Sequence, residues 1–364
     1  MCAGASVPYG KLPTKEFKEL LWKKYESAYE RDYLRDFLRN ENFKDIEHVL
    51  QSIKEIRNFL NGYGGLFFTG SSSPLHLRRG NNIQTFDMNF FKNEMESVEK
   101  TIQKEIFDHY RWNDESNDAL LKIFNRLFTL FEPKDGIHIF TTNYDNAVET
   151  FCTITQSHKP IDGFKLNIRG RILEWENDFS PPDSDAGIDV FLHKLHGSLD
   201  WKQQASGKIV KTHEESQPTD PRYQGNSLIY PTLSPKEEES TEPYKSIIER
   251  FETFMKTVDV CIVIGYSFRD HLNHSFMEML DRGKTKLIII SPTSISNLYD
   301  NLLEENIPDD KKENFVQSTV FTKNHVSVLG NISRIHCIQK PLDQDTIEAI
   351  ILDIRRMIND DPSF

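Results

Sequence analysis

The chain has 364 residues, 37% hydrophobic and 27% charged, which is enough for one large domain or two ordinary ones with a sizeable core. Its 44 Lys+Arg stand against 56 Asp+Glu, a net charge of −12. That balance argues against a protein whose main work is gripping phosphate backbones, so no direct nucleic-acid binding is expected. Cys2, Cys152, Cys261 and Cys337 are scattered without a C-x-x-C pair, and neither a zinc site nor a disulfide framework is indicated. The sequence shows no basic-then-apolar leader and no 18-residue apolar run, so a cytoplasmic protein without a membrane partner is expected.

The opening Ala3-Gly4-Ala5-Ser6-Val-Pro-Tyr-Gly10 is a small-residue turn of the kind whose exposed backbone N–H groups cradle phosphate. It lacks a full G-x-G-x-x-G, and a loop of this kind follows a buried strand, whereas the chain here reaches it at residue 3. From Thr14 to about Pro133 the apolar spacing turns helical. Faces form at Phe17, Leu20, Leu21, Tyr25 and Ala28, at Ile46, Val49, Leu50, Ile53 and Ile56, and at Leu120, Ile123, Phe124, Leu127 and Phe131. Residues 62–82, rich in Gly, Ser, Pro and Asn, read as a loop between helices, and Met88 and Met95 read as core.

The next stretch organises the rest. Ile137 to Phe140 reads as a short buried strand, breaking into Thr141-Thr-Asn143-Tyr-Asp145 and resuming as a helix at Asn146-Ala-Val-Glu149. In an open α/β sheet ligands sit outside the carboxyl ends of the strands. Asn143 and Asp145 there offer a donor, an acceptor and a charge to a ligand bearing hydroxyls and an amide. The same residues also suit a plain Asx turn and helix cap. Asp189 to Leu195 reads as a strand ending at His196-Gly197-Ser198. Gly197 would leave the backbone open to close ligand approach. Residues 202–224 are polar and without period, a mobile lid or a solvated loop.

A helix carrying Ile247, Phe251 and Met255 precedes Val258 to Ile264, an apolar run suited to a central parallel strand, which ends in Gly265-Tyr-Ser267-Phe268. Lys286 to Ile290 and Arg334 to Ile338 repeat the pattern, and a helix with Ile347, Ile350, Ile354 and Met357 on one face closes the chain. His193 should face elsewhere or stand just behind the site residues, and His271 and His274 read as surface or core histidines. Strands alternating with helices imply an α/β fold with a doubly wound, Rossmann-like parallel sheet. Residues 1–14 and 136–364 form that core, with 15–135 as a large α-helical insertion.

Four strand ends thus carry small or polar clusters: Gly4-Ala-Ser6, Asn143-Tyr-Asp145, His196-Gly-Ser198 and Gly265-Tyr-Ser267. As a set, together with Asp45-Ile-Glu-His-Val49, they resemble the sirtuin family, and within it the sirtuin-like NAD-cleaving domains of bacterial antiphage defence systems. The resemblance implies that Ala3, Gly4, Ala5 and Ser6 wrap the pyrophosphate of NAD+, with Gly265 and Ser267 on the adenosine side. It further implies that Asn143 holds the nicotinamide ribose or the attacking water, that Asp145 accepts from the carboxamide, and that His196 is the base. Imidazole suits that last role near neutral pH. The four-cysteine zinc module of protein-deacylating sirtuins is absent, as is the Asp-Phe-Arg segment after their phosphate loop, replaced here by Tyr9-Gly-Lys-Leu-Pro13. The resemblance therefore implies an NAD+ hydrolase acting in abortive infection, with NAD+ as substrate and no zinc. It also implies self-association and a separate sensor in trans, such as a HerA-type ATPase or a short Argonaute protein. An ADP-ribosyl transferase, a deacylase or a non-catalytic NAD-binding scaffold are the alternatives.

Overall fold

The computed structural model describes residues 6–27, 32–67, 74–79, 82–112, 114–131, 136–156, 158–166, 172–181, 188–212, 223, 225–229, 237–282, 285–303, 319–322, 325–328 and 335–359. Ala3, Gly4 and Ala5 lie outside them. The chain divides into two compact units, one of residues 12–109 with 216–225, the other of residues 1–11, 110–215 and 226–364.

The first unit is mostly helical: α1 (Thr14–Tyr25), α2 (Asp32–Arg39), α3 (Ile46–Phe67) and α4 (Met88–Tyr110). Among their spaced apolar positions Phe17, Leu21, Val49, Leu50, Ile53, Met95 and Ile102 are buried, whereas Leu20 of the predicted face is exposed. The expected loop at 62–82 is corrected. Helix α3 runs on through Gly62, Gly64 and Gly65, and an antiparallel hairpin follows, β1 (Pro74–Arg79) paired with β2 (Asn82–Asp87). Glycine costs only about 1 kcal/mol inside a helix, so composition there was a weak stop signal.

The second unit carries the sheets. A short 3₁₀ turn, Val7–Tyr9, leads it, and α5 (Asn117–Phe128) precedes β3 (Ile137–Thr141) and α6 (Ala147–Thr155). β3 and β4 (His158–Ile161) both pair in parallel with β7 (Ile188–Lys194). Farther along, α7 (Tyr244–Thr257) leads into β11 (Val260–Ile264), followed by α8 (Asn273–Asp281), β12 (Lys286–Ile290), β15 (Ile335–Ile338) and α9 (Ile347–Asn359). β11, β12 and β15 pair in parallel, and β15 continues antiparallel into β14 (His325–Val328) and β13 (Thr319–Thr322).

Alternate residues of these strands serve two cores. Ile288 and Ile290 of β12 join Ile137 and Ile139 of β3, Val190 and Leu192 of β7, and the apolar faces of α5, α6 and α9. Leu287 and Ile289 join α7 and α8 in the other. The two parallel ladders therefore form a layer with helices on both faces, a doubly wound α/β fold of Rossmann type. α5, which the sequence grouped with the helical insertion, packs in this unit.

A five-stranded second sheet, in the order β10-β8-β9-β6-β5, is the element periodicity did not disclose. It comprises β5 (Gly163–Leu166), β6 (Ile172–Asp178), β8 (Gly197–Gln203), β9 (Ile209–Thr212) and β10 (Gly225–Leu228). The reading of 202–224 as a lid or a solvated loop is corrected over residues 202–212: Ile209 and Val210 are buried in β9, paired against β8 and β6.

Candidate functional site

β3 and β7 run in register from Ile137↔Val190 to Thr141↔Lys194, so Asn143 and His196 stand equally far, two residues, past their paired ends. The ends are tied by Leu195 N–H donating to the Thr141 carbonyl (2.9 Å) and Leu199 N–H to the Tyr144 carbonyl (3.1 Å). This is the carboxyl edge of the parallel layer, where α/β folds place ligands.

On the β3 side three sequence-predicted residues meet. The Ser6 hydroxyl donates to Asp145 Oδ2 (2.6 Å) and accepts from the Asn143 amide (2.7 Å). Asp145 Oδ1 accepts from Ala147 N–H (3.1 Å), closing an Asx turn that starts α6. The Asp145 carboxylate is thus engaged at both oxygens, and the Ser6 hydroxyl links it to Asn143. Asn143 is nine-tenths buried; its amide nitrogen donates to Ser6, and its Oδ1 has no hydrogen-bond partner among the described residues. A buried acceptor left open costs about 1–3 kcal/mol unless something fills it.

Below this turn lies a group of buried charges. Lys194, at the end of β7, donates to the Asp145 carbonyl and sits 3.3 Å from Glu149. Lys211 on β9 reaches Asp162 (2.6 Å), Asp200 (3.4 Å) and Glu149 (3.9 Å). Burial works against the Lys211 charge, but these carboxylates hold its pKa well above the ordinary value. Sequence reading did not single out Lys194, which looked like one more residue of an alternating strand.

On the other side stands His196, 2% exposed, with neither ring nitrogen hydrogen-bonded. Its carbonyl accepts from Ile229 N–H (2.9 Å). Burial, with His271 adding to it, pulls its pKa down to about 3, so the imidazole is neutral at physiological pH. Gly197 follows with φ +84°, and a Cβ there would meet the Ser227 carbonyl oxygen at 2.3 Å and the Tyr244 hydroxyl at 2.8 Å. The expectation that Gly197 opens the backbone to a ligand is corrected: it admits the chain's own β10.

The loop after β11 supplies what the sequence missed. Asp270 Oδ2 lies 3.8 Å from His196 Nε2, and both residues are buried. Asp270 Oδ1 accepts from the Tyr266 hydroxyl and from Leu272 N–H (3.0 Å). Burial raises the Asp270 carboxyl to about 6. Phe268 holds the loop in an uncommon left-handed conformation (φ 54°), its ring packed between Tyr266 and Phe276. Gly265 N–H is spent on the Ile290 carbonyl (2.9 Å), and the Ser267 carbonyl accepts from the Asn301 amide (2.8 Å). Gly265 and Ser267 thus lie at the carboxyl end of β11, their backbone groups engaged by Ile290 and Asn301. The only sequence signal for Asp270 was a carboxylate two residues beyond Phe268.

His193 and His274 stand apart from the His196–Asp270 pair, whereas His271 acts electrostatically on both its members. His193 lies in an aromatic stack with Phe140, Phe179 and His138, 3.3 Å from His138 Nδ1. His271 is 3.0 Å from Glu239, and His274 is exposed.

The fold and these clusters define an α/β protein with polar side chains gathered at the carboxyl edge of a doubly wound sheet. Residues 137–298 match the family model of the SIR2-like domain. The chain therefore carries a sirtuin-like domain, which spans β3 to the helical segment after β12. No curated protein matches the chain. Solved structures of similar fold include a Sir2 homologue in complex with NAD (13% identity, TM-score 0.40, 98% of this chain and 88% of that one). A Sir2 homologue variant with ADP-ribose is 15% identical (TM-score 0.39, 98% and 90%), and a Sir2–p53 peptide–NAD+ complex 11% (TM-score 0.33, 83% and 98%). The family match, and not these low scores, identifies the domain. Among the described residues no helix is long and apolar enough to cross a membrane.

Proposed function

We propose that the chain hydrolyses NAD+ to nicotinamide and ADP-ribose. One observation carries the reading: among the described residues, three buried polar atoms at one sheet edge, Asn143 Oδ1 and both nitrogens of His196, make no hydrogen bond. They offer an acceptor and a neutral base to a ligand rich in hydroxyls. Sir2 homologues solved with NAD and with ADP-ribose are consistent with that choice of ligand.

In this reaction the glycosidic bond to nicotinamide breaks, water forms the new bond to the ribose carbon, and one proton is released. Asn143, its nitrogen fixed by Ser6, presents Oδ1 to a ribose hydroxyl or to the attacking water. His196, neutral because it is buried, takes the water's proton. General acid–base help of this kind is worth about 10²–10⁴-fold. Ser6, Asp145 and Lys194 hold the turn that aims Asn143, since small misplacements of a positioned group are costly. Ala3, Gly4 and Ala5 are assigned to the pyrophosphate, and Gly265 and Ser267 to the adenosine side, by likeness to sirtuins.

The same reading makes the protein the effector of an antiphage defence system: a self-associating enzyme kept quiet until a separate sensor, a HerA-type ATPase or a short Argonaute protein, engages it. Light scattering at micromolar concentration tests the self-association, and a clean monomer contradicts it. For the chemistry, NAD+ and its products are resolved by chromatography. Free ADP-ribose supports hydrolysis, and label retained on protein supports transfer. If Asn143→Ala and His196→Ala both turn over NAD+ like the wild type, the assignment is wrong.

A further inference from the structure

Asp270 is a carboxylate that the proposed reaction does not yet use. One of its oxygens, Oδ1, is tied down twice, by the Tyr266 hydroxyl and by Leu272 N–H. That leaves Oδ2 as the oxygen facing His196 Nε2, 3.8 Å away. The loop that delivers it is built rigidly, with Phe268 buried in a left-handed turn and its carbonyl accepting from the Asn273 amide (2.8 Å). A base oriented by a third group through its far nitrogen is the arrangement that fixes an imidazole's tautomer and steadies the imidazolium formed when it accepts a proton.

Resting on the NAD+ hydrolysis reading, we propose that Asp270 is the positioning residue for His196, holding the proton on Nε2 and leaving Nδ1 as the base. With Asp270 ionised, Oδ2 is the carboxylate oxygen nearest Nε2, and the 3.8 Å between them closes to a hydrogen bond or is bridged by a water when Nε2 carries the proton. Nδ1 then takes the water's proton, giving an imidazolium paired with the carboxylate; release of that proton to solvent restores the neutral ring. No other reactant is needed. The charged and titratable groups facing the pair are Tyr266 from the same loop, His271 beside it and Glu239, which holds His271 at 3.0 Å. Glu239 is paired with His271, so the carboxylate nearest His196 is that of Asp270. Below pH 6 the carboxyl is protonated and the pairing is lost, so activity should fall on the acid side with a midpoint near 6.

The test uses the full chain in whatever complex turns NAD+ over, with two readouts. In kinetics, Asp270→Asn should lower kcat by about 10²-fold or more while KM for NAD+ changes less than about threefold, and the acid limb near pH 6 should disappear. Asp270→Glu should recover part of the loss. In ¹⁵N-histidine NMR of the unliganded protein, with the signal assigned by His196→Ala, wild type should show the Nε2–H tautomer at pH 7.5 and Asp270→Asn should not. An unchanged tautomer in Asp270→Asn overturns the proposal whatever the turnover. A changed tautomer in a protein that never consumes NAD+ under any condition leaves the pairing standing and removes the hydrolase reading instead. Should Asp270→Asn fail to fold, Tyr266→Phe, which removes one of the two hydrogen bonds to Oδ1 and loosens the carboxylate, takes its place. A Tyr266→Phe protein with wild-type kcat, pH profile and tautomer then overturns the proposal.

Discussion

Replacing Gly197 with alanine is the sharpest way to ask whether the turn beside His196 is held as described. The residue adopts φ +84°, a region in which an L-residue costs about 1–2 kcal/mol. The added methyl would also land 2.3 Å from the Ser227 carbonyl oxygen and 2.8 Å from the Tyr244 hydroxyl. Relieving that overlap means moving β10, and with it the Ile229 N–H to His196 carbonyl bond (2.9 Å) and the Ser227–Tyr244 hydroxyl pair (2.7 Å). Overpacking of this kind costs about 1–3 kcal/mol, so the total is roughly 2–5 kcal/mol. A suitable control exists in Gly207, whose φ is +83° but whose Cβ would meet nothing within 4 Å, so Gly207→Ala should show the dihedral cost alone. Urea unfolding followed by the fluorescence of Trp201, buried on β8 with its ring centroid 5.7 Å from that of Tyr244, reads both variants. Equal destabilisation of the two would show that the close approach of β10 is wrong.

Two further outcomes are expected. Lys194→Met removes the cation beside Glu149 and the donor to the Asp145 carbonyl; losing one partner of a buried pair costs about 3–5 kcal/mol. Adding Glu149→Gln should recover part of that, and a double variant no more stable than the single would refute the coupling. His193, driven down to about 3 by burial, is neutral in the folded chain, while unfolded histidine protonates near 6.5. Its lowered pKa therefore contributes stability that is full above 6.5 and is lost as pH falls from there toward 3, by about 1.4 kcal/mol per pH unit. Denaturation of His193→Phe at pH 6 and pH 5 should show a slope shallower by that amount, and an unchanged slope would place the proton elsewhere.

The parts of the fold legible in sequence were those where burial is continuous. Lys286–Ile290 is buried along its whole length because a central parallel strand is covered on both faces, and it read as such, as did the apolar run Val260–Ile264, which is buried at its carboxyl end. The second sheet escaped notice because its strands carry charges such as Lys165, Glu174 and Lys211, which the structure satisfies through partners elsewhere in the sequence. The site divides the same way. Asn143 and His196 announced themselves by standing at strand ends. Asp270 did not, because its importance comes from a contact across 74 positions that only the packing of the β11 loop on the β7 end creates. Asp145 was read both as ligand contact and as Asx-turn former, and its hydrogen bonds to Ala147 and Ser6 display the second of these.

The account turns on whether NAD+ is consumed through His196. The direct measurement is the NAD+, nicotinamide and ADP-ribose content of cells expressing the chain with its neighbouring genes, with and without phage, for wild type and His196→Ala. A fall in NAD+ with matching ADP-ribose, dependent on infection and abolished in His196→Ala, is the predicted result. NAD+ levels that stay equal in all four samples would contradict it.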